Sequence, residues 1–558
     1  MMAKNFITKY SQRLLPAWCT IAILLLCGTG TSWGLASNNI PLDSPTYLYL
    51  EKLAGWGLVR SDFRGLRPFS RAEAARLVLE AEQTLKASPS LKTDLVDPVL
   101  MELRLLLARE LSLYGQPEKA PWFDVNPVSS FKAQYVYLDG QPRSYERPVH
   151  DPGDEGVFGI GSSLRPENPY PSPAQQHGTE GTPLLENNEG IVYERGSNFE
   201  ARISGEAYAG RYLSLLVEPV LVSSLESEST RLFLNKGYAK VGGGGLELEV
   251  GRDANWFGLG YRGAVTLTNN ARNFDLVKLS SPEPINLRYI GDIKYSFIVS
   301  RFDLTTTGGV ERRPYFLAAK LSVKPVDTME FGINLGRQAG GPGVNNGLGE
   351  TVRGLVGGTN SDNTNSIAGL ELRYRMPYLR NLELYGEFSG EDSASFWPIV
   401  ESYVAGFYLP RLTESGRDDL RFEYFKGNAI LYAHSTFPGG YLYRGMPVGH
   451  SQGGAAEDFF VRYSHWFSVR NRLALEYIHG ERGGLGRVPV DDAGNFDSNG
   501  AMQAIERRDG GRAHWNLPLY GDADMNIMYG WENVKNIDLV PGERRTNQIV
   551  RVEISYRY

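Results

Sequence analysis

The last ten residues, Ile549 to Tyr558, read "IVRVEISYRY", with Val550, Val552, Ile554, Tyr556 and Tyr558 on one face and Arg551, Glu553, Ser555 and Arg557 on the other. A period of two is the mark of a strand with one apolar and one polar side. The pattern recurs from about residue 120 onward, in "SFKAQYVYL", "NFEARISGEA", "YLSLLVEPVLV", "IKYSFIVSRF", "LELYGEF", "FFVRYSHWF" and "MNIMYGWENV". So many two-faced strands must bury their apolar sides against a second sheet or against lipid.

The N-terminus favours lipid. Lys4, Lys9 and Arg13 precede an apolar run from Ala17 to Cys27, then small residues up to Gly34-Leu35-Ala36. This reads as a secretory signal peptide over residues 1–36, cleaved near Ala36. Its apolar run falls short of the roughly 20 residues a spanning helix needs, and no long apolar run follows. Both cysteines, Cys19 and Cys27, lie in that leader, so a processed chain has no thiol for disulfides, thiolate metal sites or nucleophilic catalysis. With 63 Gly and 31 Tyr in an exported chain, the expected fold is a transmembrane antiparallel β-barrel over residues 120–558. At about ten residues per strand it would have roughly 16–18 strands. A soluble sandwich or propeller is the competing fold, and export together with the aromatic end of the final strand argues against it. The net charge of −6 argues against a nucleic-acid partner.

Residues 37–119 have a helical period instead and are expected to form a small α-helical bundle. Ser44-Pro45 opens a first helix, and Ser70 with Glu73 forms a capping box ahead of Ala74, Leu77, Val78 and Ala81. Asp97-Pro98 opens a third helix with Leu100, Leu103, Leu107 and Leu111 at steps of three and four. Such a short bundle is marginal alone and is expected to pack on the larger part of the chain. Long polar connections at 140–194, 339–365 and 481–512 are expected as extracellular loops.

Local motifs offer little chemistry. Gly449-His450-Ser451-Gln452-Gly453 fits the G-x-S-x-G elbow of serine hydrolases, but "YLYRGMP" before it is broken by Gly445 and Pro447, and "DFFVRYSHWF" after it alternates like a strand. The seven histidines show no H-x-x-x-H spacing, so no metal site and no cofactor are expected. "DDAGNFDSN", Asp491 to Asn499, does not match the spacing of an EF-hand loop and reads as a solvated turn.

Four stretches in order carry a family resemblance. "GRDANWFGLGYRGAVTLTNNARNFDLVKLSSPEPINL" (Gly251 to Leu287), "LELYGEFSGED" (Leu382 to Asp392), "YRGMPVGHSQGGAAEDFFVRY" (Tyr443 to Tyr463) and the opening helices resemble the Wzi-like capsule assembly family. The resemblance implies an outer-membrane barrel with a periplasmic helical bundle. It also implies lectin-like, non-catalytic attachment of capsular or exopolysaccharide at the surface of a Gram-negative cell, with outer-membrane lipids as the other partner and a monomeric state. Sugar rings stack on aromatic faces, and their hydroxyls and carboxylates need fixed polar partners. The candidate polysaccharide-binding residues on that basis are Trp256, Tyr261, Arg262, Asn269, Asn270, Glu391, Asp392, Arg444 and His450. The alternatives are a passive or sugar-selective porin and, third, a hydrolase using Ser451. The Leu48 to Ala81 helices, which also resemble a surface-layer-homology repeat, would let such a porin anchor to the wall.

Overall fold

The computed structural model describes residues 35–151, 170–243, 245–344, 364–391, 398 and 400–557. Eighteen antiparallel strands close into one barrel. The first six are β1 (Asp124–Asp139), β2 (Gly196–Ala209), β3 (Leu213–Ser224), β4 (Ser229–Gly243), β5 (Leu246–Asp253) and β6 (Phe274–Ser280), the last extended by Ile285–Leu287. Then come β7 (Gly291–Arg301), β8 (Tyr315–Val326), β9 (Met329–Ala339), β10 (Asn365–Met376), β11 (Leu382–Glu391) and β12 (Val400–Leu409). The circuit ends with β13 (Asp418–Gly427), β14 (Ala456–Trp466), β15 (Arg472–Arg482), β16 (Glu506–Pro518), β17 (Ala523–Lys535) and β18 (Arg544–Arg557). Each strand pairs with its sequence neighbours, and β18 closes on β1 with Phe131 opposite Tyr556 and Ala133 opposite Ile554. The strand number is the upper bound of the sequence expectation; Tyr558 lies outside the described residues.

Alternation sorts the side chains as a barrel in lipid requires. On β3, Leu215, Val217 and Leu221 face outward while Ser214, Leu216, Glu218, Val220 and Val222 are buried inside. Val217 is 53% exposed and Leu232, on the outer face of β4, 74%; in water these would be costly, but a hydrocarbon surround accepts them. The inner face is charged and carries ion pairs: Lys240 with Glu247 at 2.8 Å, Lys278 with Glu249 at 2.9 Å, and Lys320 with Glu371.

The two ends of the barrel differ. At one, strands turn in a few residues, as at Gly210–Tyr212 between β2 and β3 and at 327–328 between β8 and β9. The helices sit at this short-turn end: α1 (Pro45–Gly55), α2 (Arg71–Ala87), α3 (Val96–Leu106) and α4 (Ala108–Leu113). Ser44 Oγ accepts from Thr46 N–H, and Ser70 Oγ accepts from Glu73 N–H at 3.1 Å, while the Glu73 carboxylate turns to Arg76 instead of closing the box. The single third helix read from Asp97 to Leu113 is broken at Leu107, whose φ of −121° leaves the helical region. Leu53, Leu77, Val78, Val99 and Leu103 form the bundle core, and Trp466 and Val469 of the barrel complete it. The helices are therefore a plug built into the wall. Lys52 Nζ donates to Pro410 O and Asp419 at 2.8 Å, and Asn381 Nδ2 donates to Gly55 O at 2.9 Å.

The opposite end carries the long connections. Within 140–194, Arg143–Asp151 pairs with Tyr170–Gly181, after which Leu184, Ile191 and Tyr193 turn inward and are buried. The 481–512 stretch is shorter as a loop than its polarity suggested, because β15 runs to Arg482 and β16 starts at Glu506. Of 339–365, residues 345–363 lie outside the described residues.

Candidate functional site

Two loops from the long-loop end dive into the lumen. The first, 254–273 between β5 and β6, travels far enough to meet the plug. Trp256 and Phe257 pair antiparallel with Arg67 and Leu66, and Gly258 N–H donates to Gly65 O at 2.9 Å. A loop buried this way carries backbone amides that must find acceptors. The wall supplies them as carboxylates: Glu423 on β13 accepts from Tyr261 N–H at 2.6 Å and Arg262 N–H at 2.9 Å, and Glu387 on β11 accepts from Val265 N–H at 3.2 Å. Glu330 on β9 does the same for Arg64 and Gly65 of the plug, both at 3.0 Å.

The second loop, 428–455 between β13 and β14, interlocks with the first. Thr268 N–H donates to Val448 O at 2.8 Å, Thr268 Oγ1 to Gly449 O at 2.6 Å, and Asn270 Nδ2 to Pro447 O at 3.1 Å. In return, the hydroxyls of Tyr432 and Tyr441 donate to Val265 O and Thr266 O at 2.6 and 3.1 Å. Phe274 stacks on Tyr443 at 4.1 Å, in an apolar cluster that also takes in Leu66 of the plug and Phe257. The seam is tight enough to demand glycine. A Cβ on Gly449 would strike the Tyr432 hydroxyl and Val265 O, and one on Gly263 would strike the His450 ring.

The candidate residues named from sequence are brought together here, mostly as parts of this packing. Trp256 is 3% exposed with the Arg67 guanidinium 4.4 Å from its ring centroid, so a sugar ring would have to displace that arginine. Tyr261 stacks on Phe460 at 5.9 Å and accepts from Arg462 Nη1 at 2.7 Å. Arg262 is buried against Asp458 and Glu186. Asn269 Nδ2 donates to Asn187 O at 2.9 Å, and the Glu391 carboxylate accepts from Tyr432 N–H at 2.7 Å. His450 is fully buried and stacked on Phe425 at 3.6 Å, and burial pushes its imidazole down to about 3, so it is neutral at physiological pH. Among the described candidates Arg444 is the exposed one, its side chain 63% exposed and its Nε 3.4 Å from Asp303, while Tyr261 is half-buried. Asp392 lies outside the described residues.

The hydrolase motif sits in the same interlock. Ser451 is 4% exposed, its Oγ accepts from Gln452 Nε2 at 3.4 Å, and His450 Nδ1 accepts from Gln452 N–H at 3.3 Å. No helix follows it; β14 does. In the Asp491 turn, the carboxylate accepts from Ala493 and Asn495 N–H at 2.9 and 2.8 Å, which is turn chemistry. Among the described residues no group of three or more acidic, histidine or cysteine side chains could hold a metal.

Sequence reading missed the charged clasp between plug and wall. Asp62 accepts from Arg64 Nε at 2.6 Å, Arg373 Nη1 at 3.1 Å and Arg375 Nη2 at 2.9 Å, the last two on β10, and Glu383 on β11 shares both wall arginines. Burial opposes the Asp62 charge, but Arg373, Arg375, Arg64 and Lys324 outweigh it and hold the carboxyl well below the usual range. Its only sequence signal is an Asp-Phe-Arg-Gly turn ahead of the second helix.

These features define a class of transmembrane β-barrel whose lumen takes a helical plug from one end and two interlocked loops from the other. The profile of the family described as capsule assembly protein Wzi matches residues 165–549. The chain belongs to that family. Among solved structures, the chain resembles Escherichia coli Wzi, described as an outer-membrane protein involved in group 1 capsule assembly and a carbohydrate-binding β-barrel. The match has 16% identity, covers 94% of this chain and 100% of the other, and has a TM-score of 0.62. Pseudomonas aeruginosa OpdQ is also similar, at 11% identity over 79% of this chain and 99% of its own, with a TM-score of 0.42. Comparison with curated protein sequences gives no match.

Proposed function

We propose that this protein sits in the outer membrane of a Gram-negative bacterium and binds capsular or exopolysaccharide to hold it at the cell surface, as a monomer and without catalysis. The observation that carries the reading is family membership together with a lumen entered by the plug from one end and by two interlocked loops from the other, which leaves the long-loop end to meet a polymer. That end faces outward on this reading, and the helices of residues 37–119 lie on the periplasmic side after cleavage near Ala36. Arg444 is the candidate placed to touch polymer, while Trp256, Tyr261, Arg262, Asn269, Asn270, Glu391 and His450 hold the loops that present it. Asp392 is a further proposed polymer contact. Buried Ser451 supports a structural turn over a nucleophile.

The test is binding of the purified barrel in detergent to surface polysaccharide from its own host, immobilised on a sensor. Retention that falls in Arg444→Ala, with thermal stability unchanged, is expected. Absence of retention for the parent protein would remove the binding reading and return attention to conductance.

A further inference from the structure

Two adjoining cavities lie where α1, the Arg67 segment, the inward loop and the wall meet. The larger, about 40 Å³, is lined by four arginines (Arg64, Arg67, Arg373 and Arg421) against three carboxylates (Glu51, Asp62 and Glu383). The smaller, about 10 Å³, shares Glu51 and Arg421 and adds Arg472, Arg462 and Asp419, the last two paired with Glu476 and Lys52. Each of the three carboxylates of the larger cavity is already paired with arginines other than Arg67. The Glu51 oxygens go to Arg64 at 2.5 Å and Arg421 at 2.9 Å, and Asp62 and Glu383 are held by Arg373 and Arg375.

Arg67 and Arg472 are left without a carboxylate partner among the described residues. Arg67 Nη2 donates to Gly260 O at 2.8 Å, and Arg472 Nη2 donates to Asn516 Oδ1 at 3.1 Å. The Nε of each is buried with no hydrogen-bond partner in the protein. Aromatic faces take part of the charge, Trp256 under Arg67 and Trp466 under Arg472 at 4.9 Å, but a ring face gives the buried Nε no oxygen to donate to. Burial pulls the Arg67 guanidinium below its ordinary value, and the neighbouring Arg64 and Arg421 charges push the same way.

We propose that the larger cavity is an anion site that takes one oxyanion, a phosphate, a sulfate or a sugar carboxylate, against Arg67 with Arg421 as the second cation. The planar guanidinium fork suits such a ligand, and the space exceeds the roughly 10–15 Å³ that one water needs. Arg67 comes from the plug, Tyr261 from the inward loop and Arg421 from β13, so the anion would join all three and hold the lumen shut. The site stands apart from the polymer reading and does not require it.

The test uses the full barrel, purified in non-ionic detergent and Tris chloride, with melting followed by tryptophan fluorescence. Phosphate, sulfate or glucuronate is added at constant ionic strength. A saturable rise in melting temperature at low-millimolar anion is expected, absent in Arg67→Gln and shifted to higher anion concentration in Arg67→Lys, which keeps the charge without the fork. If Arg67→Gln does not fold, the Arg67→Lys shift decides. Tighter response to glucuronate than to phosphate assigns the site to a sugar acid, and the reverse to a phosphate or sulfate group. A rise that is linear and equal in all three proteins, or no rise, overturns the proposal.

Discussion

Replacing Asp62 by Asn should loosen the plug without unfolding the barrel. The substitution keeps the side-chain shape and removes the charge that Arg64, Arg373 and Arg375 share at 2.6 to 3.2 Å in a group 2% exposed. Breaking a buried ion pair by removing one partner costs about 3–5 kcal/mol. The lower end applies here, because Glu330 and Glu383 still hold Arg373, so about 3 kcal/mol or a roughly hundredfold rise in plug opening is expected. With Cys19 and Cys27, the two native cysteines, replaced by Ser, a reporter at Ala54→Cys, buried in α1 beside the wall, can be labelled alone. Its labelling rate should rise by about that factor in Asp62→Asn, while heat-dependent gel mobility shows the barrel intact. The pH dependence has a definite sign. Because the folded carboxyl lies well below its unfolded value, its contribution is complete above about pH 4 and is lost only as pH falls through the folded value. The gap between parent and variant should therefore stay constant from neutral pH to about 5 and narrow only below about 4. Equal labelling rates at neutral pH would refute the clasp as what holds the plug.

Four further outcomes follow from the interlock. Tyr432→Phe removes the hydroxyl that donates to Val265 O and accepts from His450 N–H at 2.7 Å, and a thermal melt should show a loss of about 1–3 kcal/mol. His450 stays neutral when folded but protonates when unfolded, so the parent should lose stability as pH falls from about 6.5 toward 3, and urea titrations of His450→Gln should show a shallower slope there. Ser451→Ala should leave surface polysaccharide unchanged in staining of whole cells; its loss would revive a role for that hydroxyl. In planar bilayers the purified protein should give no steady channel conductance, whereas sustained ohmic steps would favour a porin.

Much of the fold could be read before the structure because lipid and lumen impose opposite polarity on alternate residues. Val550, Val552, Ile554 and Tyr556 share a face on β18 as their spacing required, and Ser44 and Ser70 cap the helices they were read to cap. The filled lumen was hidden for a physical reason: Lys240, Glu387 or Arg373 on an inner face has the same alternation whether it meets water or a plug. A signal did exist in the loops. "GAVTLTNN" and "NAILYAHSTF" are too apolar for solvated connections, and both turn out buried. The family stretches converge on the interlock, but a motif does not say whether Asn270 or Glu391 serves a ligand or a backbone partner. Here Asn270 Nδ2 goes to Pro447 O and Glu391 to Tyr432 N–H.

The central claim is that this barrel keeps polysaccharide on the cell. Its most direct test is the partition of surface polymer between cells and culture medium, with the gene present, deleted and restored. The expected result is polymer made in equal total amount but shed into the medium when the gene is absent, and returned to the cells on restoration. An unchanged partition would contradict the claim.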